Sequence, residues 1–337
     1  MTVQITIIGT GQIGASIGLA LGEHKDLFTR VGHDKDVRVA NRAKDMGALD
    51  RVAINLPNAV AEASVVILAL PLDQVEETLK FIATDLPEET VIMDTSPVKG
   101  EVIQWAQQLL PPKRYFIGLA PVLNPAYLET SESGVEAAHA DLFKNGLMAI
   151  LSPQGVPSEA IKLATDFSHL LGAEHLFMDP IELDSMMAAT HILPQLLAAT
   201  FLNTTVDKPG WYEARKLAGR PFAALTSAAA QFEDAGALST QAMASNEHLV
   251  RWIDTYISNL YSLRQQLAAN EADKVLEELT NARAGREKWL VERSTANWAA
   301  KETAPNVNMP KAKDVFARMF TFGGGGKPKP PKQSNSK

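Results

Sequence analysis

The chain has 337 residues, of which 46% are hydrophobic and 21% charged, with a formal net charge of −7 and no cysteine. That length supports two domains with cores of their own. The acidic balance speaks against a general nucleic-acid binder, and the lack of cysteine excludes disulfides, thiolate nucleophiles and cysteine metal sites. The N-terminal apolar run has no charged segment before it and is too short for a signal peptide. No apolar stretch is read as long enough to span a membrane, so the expectation is a cytoplasmic enzyme with neither nucleic-acid nor membrane partners.

Val3, Ile5, Ile7 and Ile8 form a β-branched run that leads into Gly9-Thr10-Gly11-Gln12-Ile13-Gly14. Residues 15–22 then read as a helix. Strand, glycine turn and helix is the context in which G-x-G-x-x-G predicts a dinucleotide site. Gly9 allows the tight turn, Gly11 lets the backbone approach a pyrophosphate, and Gly14 lets the helix pack on the strand. The free N–H groups of the first helical turn, Gln12 and Ile13 among them, then face the phosphates. Residues 28–34 read as a second strand ending at Asp34, twenty residues beyond Gly14. A carboxylate there accepts from the ribose 2′-OH and repels a 2′-phosphate, which favours NAD. Capping of the next helix, 37–46, is the alternative for Asp34, and Lys35 and Arg38 leave NADP open.

Residues 47–50 close that helix, and the continuous apolar run 63–70 predicts a parallel strand buried on both faces. Its end sets Leu70 and Pro71 at the carboxyl edge of the sheet, where ligands bind in open α/β folds. Together with Thr95 they are expected to line the nicotinamide side. Helix 73–83, strand 90–94, the turn Thr95-Ser96-Pro97-Val98-Lys99-Gly100, helix 101–110, strand 115–118 and strand 147–151 continue the alternation. The pattern predicts an α/β Rossmann-type doubly wound sheet followed by an all-helical domain. Pro153–Pro157 reads as a linker, 158–171 as an amphipathic helix, and 172–180 as an optional further strand. Helices follow over 182–204, 211–218, 221–234, 242–269 and 271–296. Trp252, Ile253, Tyr256, Ile257, Leu260, Leu263 and Leu267 make an i, i+3/i+4 stripe that suits a core face or a shared interface. The domains expected are 1–155 for the dinucleotide, 156–180 as linker with an extra helix or strand, and 181–300 for substrate and dimerisation. A short helical segment at 301–322 and a disordered tail at 323–337 follow. The histidines have no metal-ligand spacing, so no metal is expected.

Taken in order, Gly9–Gly14, Gly32-His33-Asp34, Gly47-Ala48-Leu49-Asp50, Leu68-Ala69-Leu70-Pro71-Leu72, Asp94–Gly100 and Ser133-Gly134-Val135-Glu136 resemble the prephenate/arogenate dehydrogenase family. The resemblance runs from residue 3 to about residue 290. Asp94 and Val98-Lys99 fall on the family's D-x-x-S-V-K, Phe116–Pro121 on its strand leading to H-P-M-A-G, and Leu193-Pro194 on its S-H-L-P-H. The resemblance implies oxidative decarboxylation of a small cyclohexadienyl carboxylate, with hydride passing to NAD, in tyrosine biosynthesis. It also implies a homodimer made through the helical domain. The departures fall on the substrate side. The histidine of H-P-M-A-G falls on Ala120 and the serine of S-V-K on Pro97. The two histidines of S-H-L-P-H fall on Ile192 and Gln195, with His191 on its serine, and a substrate-binding arginine falls on Gln241. Asp184 falls on the second member of a His-Asp pair whose first is Leu183, and reads equally as an exposed helical acid.

The expected catalytic residues are therefore His191, Ser96 and Lys99. Arg215, Arg220 and Arg251 are cations available for the substrate carboxylate. Three functions stay open: a prephenate/arogenate dehydrogenase, a dehydrogenase or reductase of a different small acid or imine, and an NAD-binding protein without turnover.

Overall fold

The computed structural model describes residues 2–130, 132–230 and 234–296; the expected segments 301–322 and 323–337 lie outside them. Strands and helices alternate from the start: β1 Val3–Ile8, α1 Gln12–Leu21, β2 Phe28–His33, α2 Val37–Asp45, β3 Arg51–Val52 and α3 Leu56–Val60. They continue with β4 Ala63–Leu68, α4 Leu72–Ile82, β5 Val91–Asp94, α5 Gly100–Leu109, β6 Tyr115–Val122, β7 Leu147–Leu151, α6 Ser158–Leu170 and β8 Glu174–Phe177. The eight strands form one sheet in the order β3-β2-β1-β4-β5-β6-β7-β8. Every pairing is parallel except β6 with β7. The order reverses at β1, which lies between β2 and β4. That switch point is where an open α/β sheet opens a crevice at its carboxyl edge.

The sheet is buried on both faces because successive side chains of each strand point opposite ways. Ile5, Ile7, Val65 and Ile67 meet Ile17 and Leu21 of α1 and Leu163 and Phe167 of α6 on one face. Ile8, Val66 and Leu68 meet Val60 of α3, Val75 and Leu79 of α4 and Val102 of α5 on the other. The segment after Pro157 is thus a layer of the sheet, with α6 covering one face and β8 adding an edge strand.

Several elements differ from the sequence reading. β4 ends at Leu68, two residues early, and the Ala69 N–H makes the last parallel ladder bond, to the Ile8 carbonyl. β6 runs on to Val122, pairing Gly118–Val122 with Leu147–Leu151. Pro121 is tolerated there because β5 stops at Asp94, opposite Gly118, so no ladder on that side asks for its missing N–H. β3 and α3 are too short to show a period.

The remaining helices are α7 Pro180–Met187, a five-residue π turn over Ala188–Ile192, α8 Leu193–Thr205, α9 Trp211–Leu217, α10 Arg220–Thr226, α11 Ala235–Ala244, α12 Asn246–Ala268 and α13 Ala272–Thr295. The helix expected over 242–269 begins instead at Asn246, since Ser245 leaves helical geometry between α11 and α12. Ala188, Ile192, Leu193, Leu238, Ala242 and Leu249 join the core beneath α4 and α5, which seats the helical layer against the sheet. Pro180–Thr205 is one helical run of 26 residues, long and apolar enough by length and composition to cross a membrane. This corrects the expectation that no stretch reaches that length. The same run bonds the sheet layer through Asp184 and lines the cleft through His191.

Candidate active site

The glycine turn shows how closely the backbone is drawn together. Gly9 has φ +88°, and a Cβ there would sit 2.2 Å from the Ala69 carbonyl oxygen. A Cβ on Gly14 would sit 1.9 Å from the Gly9 oxygen, so α1 packs against the turn only because that atom is absent. Gly11 differs: a Cβ there would meet nothing within 4 Å. Packing does not require glycine at 11, and its open side faces the cleft. Gly11 is the N-cap of α1 and offers no side chain, so the first N–H groups of the helix keep their donors for a ligand.

Asp34 stands just past β2 with its carboxylate oriented. Oδ2 accepts from Thr10 N at 2.8 Å and from Thr10 Oγ1 at 3.1 Å, and Oδ1 accepts from Asp36 N at 3.0 Å. The cap of α2 is Asp36, which accepts from Arg38 N. The Arg38 guanidinium forks onto Asp36 at 3.0 and 2.7 Å and holds its carboxyl down at about 2. The capping alternative for Asp34 is thereby taken by its neighbour, and Arg38 is engaged away from the cleft.

A cleft of about 820 Å³ runs from this turn to the helical layer. Gly9, Gly11, Asp34, Leu70 and Pro71 line one part, and His191, Gln195 and Gln241 line the other. A wall missed by the sequence reading comes from Ser133–Glu136, visible there only as a family landmark. Gln12 Nε2 donates to Ala137 O at 3.2 Å, and Arg42 forks onto Glu136 at 2.7 and 3.0 Å, which holds that segment over α1 and α2. Among the described residues, Lys35 is the one fixed cation lining the cleft, and it lies beside Asp34. Arg215, Arg220 and Arg251 are not in its walls.

His191 sits on the π turn. Pro194 has no N–H for the carbonyl of Thr190, and the helix widens over Ala188–Ile192 instead of breaking. The His191 carbonyl accepts from the Gln195 side chain at 2.8 Å. The ring opens into the cleft but is crowded by protein around it, and this desolvation lowers its pKa. A neutral imidazole is thus available near neutral pH as a proton acceptor. Ile192 points the other way, into the core.

Ser96 and Lys99 are buried and do not face the cleft, which corrects their expected placement, and Thr95 is not among the residues lining it. Thr95 Oγ1 donates to the Leu68 carbonyl at 3.1 Å. The Lys99 ammonium is wholly buried, ion-paired with Asp94 Oδ2 and donating to Asp94 O at 2.9 Å; Ser96 Oγ donates to Asp94 Oδ2 at 2.6 Å. Burial pushes Lys99 down from the usual lysine range, against the pull of Asp94. Gly118 leaves room for this side chain: a Cβ there would lie 3.1 Å from Lys99 Cδ. Asp184 is buried rather than exposed. Its two oxygens accept from Lys99 N at 2.7 Å and Gly100 N at 2.8 Å, fastening α7 to the amino end of α5. Ala120 is packed among Ala149, Leu151 and Leu183 and offers nothing to a substrate.

The strand order with its glycine turn at the switch point defines a dinucleotide-binding α/β protein capped by a helical layer. The model for the family described as "Prephenate dehydrogenase, nucleotide-binding domain" matches residues 17–176. Over those residues the chain is similar to the nucleotide-binding domain of prephenate dehydrogenases. It is similar to a prephenate dehydrogenase of Bacillus subtilis, 28% identical over 209 residues, covering 62% of this chain and 55% of that protein. The chain thus spans little more than half the length of that relative. It is also similar to a cyclohexadienyl dehydrogenase of Zymomonas mobilis, 26% identical over 291 residues, covering 84% of this chain and 94% of that one. The fold matches that of prephenate dehydrogenase from A. aeolicus, solved with hydroxyphenyl propionate and NAD+, at a TM-score of 0.75 and 19% identity, over 86% of this chain and 98% of that one.

Proposed function

We propose that the chain is an NAD-dependent dehydrogenase of a small cyclohexadienyl carboxylate, acting in the cytoplasm as a homodimer in the step that leads towards tyrosine. One observation carries the reading: the cleft is continuous from the open side of Gly11 and the Asp34 carboxylate to the His191 ring. When bound, NAD supplies the acceptor for the hydride that leaves the hydroxyl-bearing ring carbon. The chain's own groups do the rest. Gly9, Gly11 and Gly14, with the N–H groups at Gln12 and Ile13, hold the pyrophosphate. Asp34, held by Thr10, accepts from a ribose hydroxyl and excludes a 2′-phosphate by charge. Leu70 and Pro71 supply an apolar wall to the nicotinamide ring. Thr95 acts only by tying its turn to β4.

His191 accepts the proton of the ring hydroxyl as hydride departs, and loss of carbon dioxide aromatises the ring. Lys99 and Ser96 are positioning residues: through Asp94 they fix the loop after β5, and through Asp184 that loop holds the helix carrying His191. NADH formation at 340 nm with prephenate and with arogenate tests the reading, and absence of turnover with both overturns it. A second reading has an observation of its own. The end of the cleft near His191 is lined by the amides Gln195 and Gln241 and by Asp234, with no arginine among the described residues. That lining favours a substrate with fewer carboxylates, and a panel of 3-hydroxy acids and imines in the same assay separates the two.

The dimer rests on α12 and α13. Trp252, Ile257, Leu260, Leu276 and Leu279 are exposed on the single chain, a larger apolar band than a surface helix usually leaves to water. A second copy covers it in this reading. Light scattering after gel filtration is expected to give twice the chain mass, and Leu260→Asp to give the monomer with its helicity kept. A monomeric wild-type chain would remove the dimer from the proposal.

A further inference from the structure

Away from the cleft, the structure gathers side chains that the sequence reading treats as scattered. His169 lies in the last turn of α6, and Glu174 and His175 open β8. Gly172 reverses the chain between them at φ +81°, with its N–H bonded to the His169 carbonyl. His169 Nε2 and His175 Nδ1 come to 2.9 Å, and a Glu174 carboxylate oxygen lies within 4.8 Å of the ring nitrogens. None of the three lines the cleft.

Two imidazoles in this contact hold one proton between them, because a second would set N–H against N–H. His169 Nδ1, on the far side of its ring, is buried without a hydrogen-bond partner among the described residues. The facing nitrogens of the bare pair stand at hydrogen-bond distance, and the same approach, with the Glu174 carboxylate beside it, also suits a cation. Two metal–nitrogen bonds of about 2.0–2.1 Å at a tetrahedral angle set their nitrogens about 3.3 Å apart, only a few tenths of an ångström wider than the pair stands. The carboxylate brings a full negative charge, and the carboxyl end of the thirteen-residue α6 brings a partial one.

We propose that His169, Glu174 and His175 form a binding site for a divalent transition-metal ion of the zinc class, with two imidazole nitrogens and one carboxylate oxygen as protein ligands. The donor set suits zinc, nickel or copper and disfavours magnesium and calcium, which take oxygen ligands. Its position makes it a staple: the ion ties the edge strand β8 to the helix that covers it.

The test uses the full chain, stripped with a chelator, exchanged into buffer and titrated with zinc chloride by calorimetry, with Tm measured in parallel. One ion per chain is expected to bind saturably and to raise Tm, since the ligand favours the folded state. His169→Ala/His175→Ala is expected to lose both effects. Glu174→Gln, at an exposed position, is expected to weaken binding while leaving the metal-free Tm unchanged, and it decides the matter should the double variant not fold. Magnesium chloride is expected to leave Tm where it was. Lack of saturable zinc binding by the wild-type chain overturns the proposal, as does wild-type affinity in either variant.

Discussion

Lys99→Met keeps the length of the side chain and removes its ammonium. Both members of the Asp94–Lys99 pair are fully buried, so the change strands a carboxylate in the interior with Ser96 Oγ at 2.6 Å as its remaining donor. It also strips the Asp94 carbonyl of a donor at 2.9 Å. Breaking a buried pair from one side costs about 3–5 kcal/mol, whereas an exposed pair is worth about 0–1 kcal/mol. The surviving serine bond recovers part of the loss, so about 3 kcal/mol is expected for Lys99→Met. Urea unfolding followed by far-ultraviolet circular dichroism reads it. Asp94→Leu/Lys99→Met removes both charges together and is expected to regain most of the stability. A single variant within about 1 kcal/mol of wild type, or a double variant no better than the single, refutes the burial argument. The same variant tests the catalytic role expected of Lys99: a residue acting on the substrate would alter kcat or KM in a chain of unaltered stability.

Three further outcomes are expected. Asp34→Asn gives up a charged acceptor, and kcat/KM with NAD should fall about tenfold or more while the preference over NADP narrows; an unchanged NAD:NADP ratio would separate Asp34 from cofactor choice. His191→Asn should lower kcat/KM by about 10²–10⁴, the usual range for a lost general base. Because the neutral ring is the active form and burial lowers its pKa from 6.5, wild-type kcat/KM should be flat from neutral pH upward and fall on the acid side. An acid limb centred at or above pH 7, or one that persists in His191→Asn, counts against that assignment. Gly11→Ala meets no atom within 4 Å and should fold normally yet bind NAD more weakly, while Gly14→Ala drives a methyl to 1.9 Å from the Gly9 oxygen and should destabilise the fold itself. Equal Tm losses in the two would mean that Gly11 serves packing and not a ligand.

Much of the sheet is legible in the sequence because its central strands are rich in apolar residues, as parallel strands covered on both faces require. The glycine turn is legible for a local reason: Gly14 is dictated by its contact with the Gly9 carbonyl, and Gly9 by its own positive φ. What fails to show is whatever depends on elements far apart in the chain. Asp184 looks like a surface acid until α7 meets the amino end of α5, and only then do two N–H groups become its partners. Lys99 sits at a strand end where a ligand group is expected, but the direction of its side chain is set by Gly118 and Asp94. Residues 169 and 175 have no metal-ligand spacing along the chain, and their approach is made by one positive-φ glycine. β3 and α3 are invisible because two and five residues cannot display a period.

The widened turn at Ala188–Ile192 has a consequence for how relatives are compared. An extra residue in a helix advances every later side chain by about 100° around the axis, so position and direction come apart at that point. In a relative lacking the insertion, the residue aligned with Ile192 would take the bearing that His191 has here, and column-by-column comparison would pair a core residue with one that meets the ligand. In such a relative the residue that shares the bearing of His191 would stand one position away in the alignment.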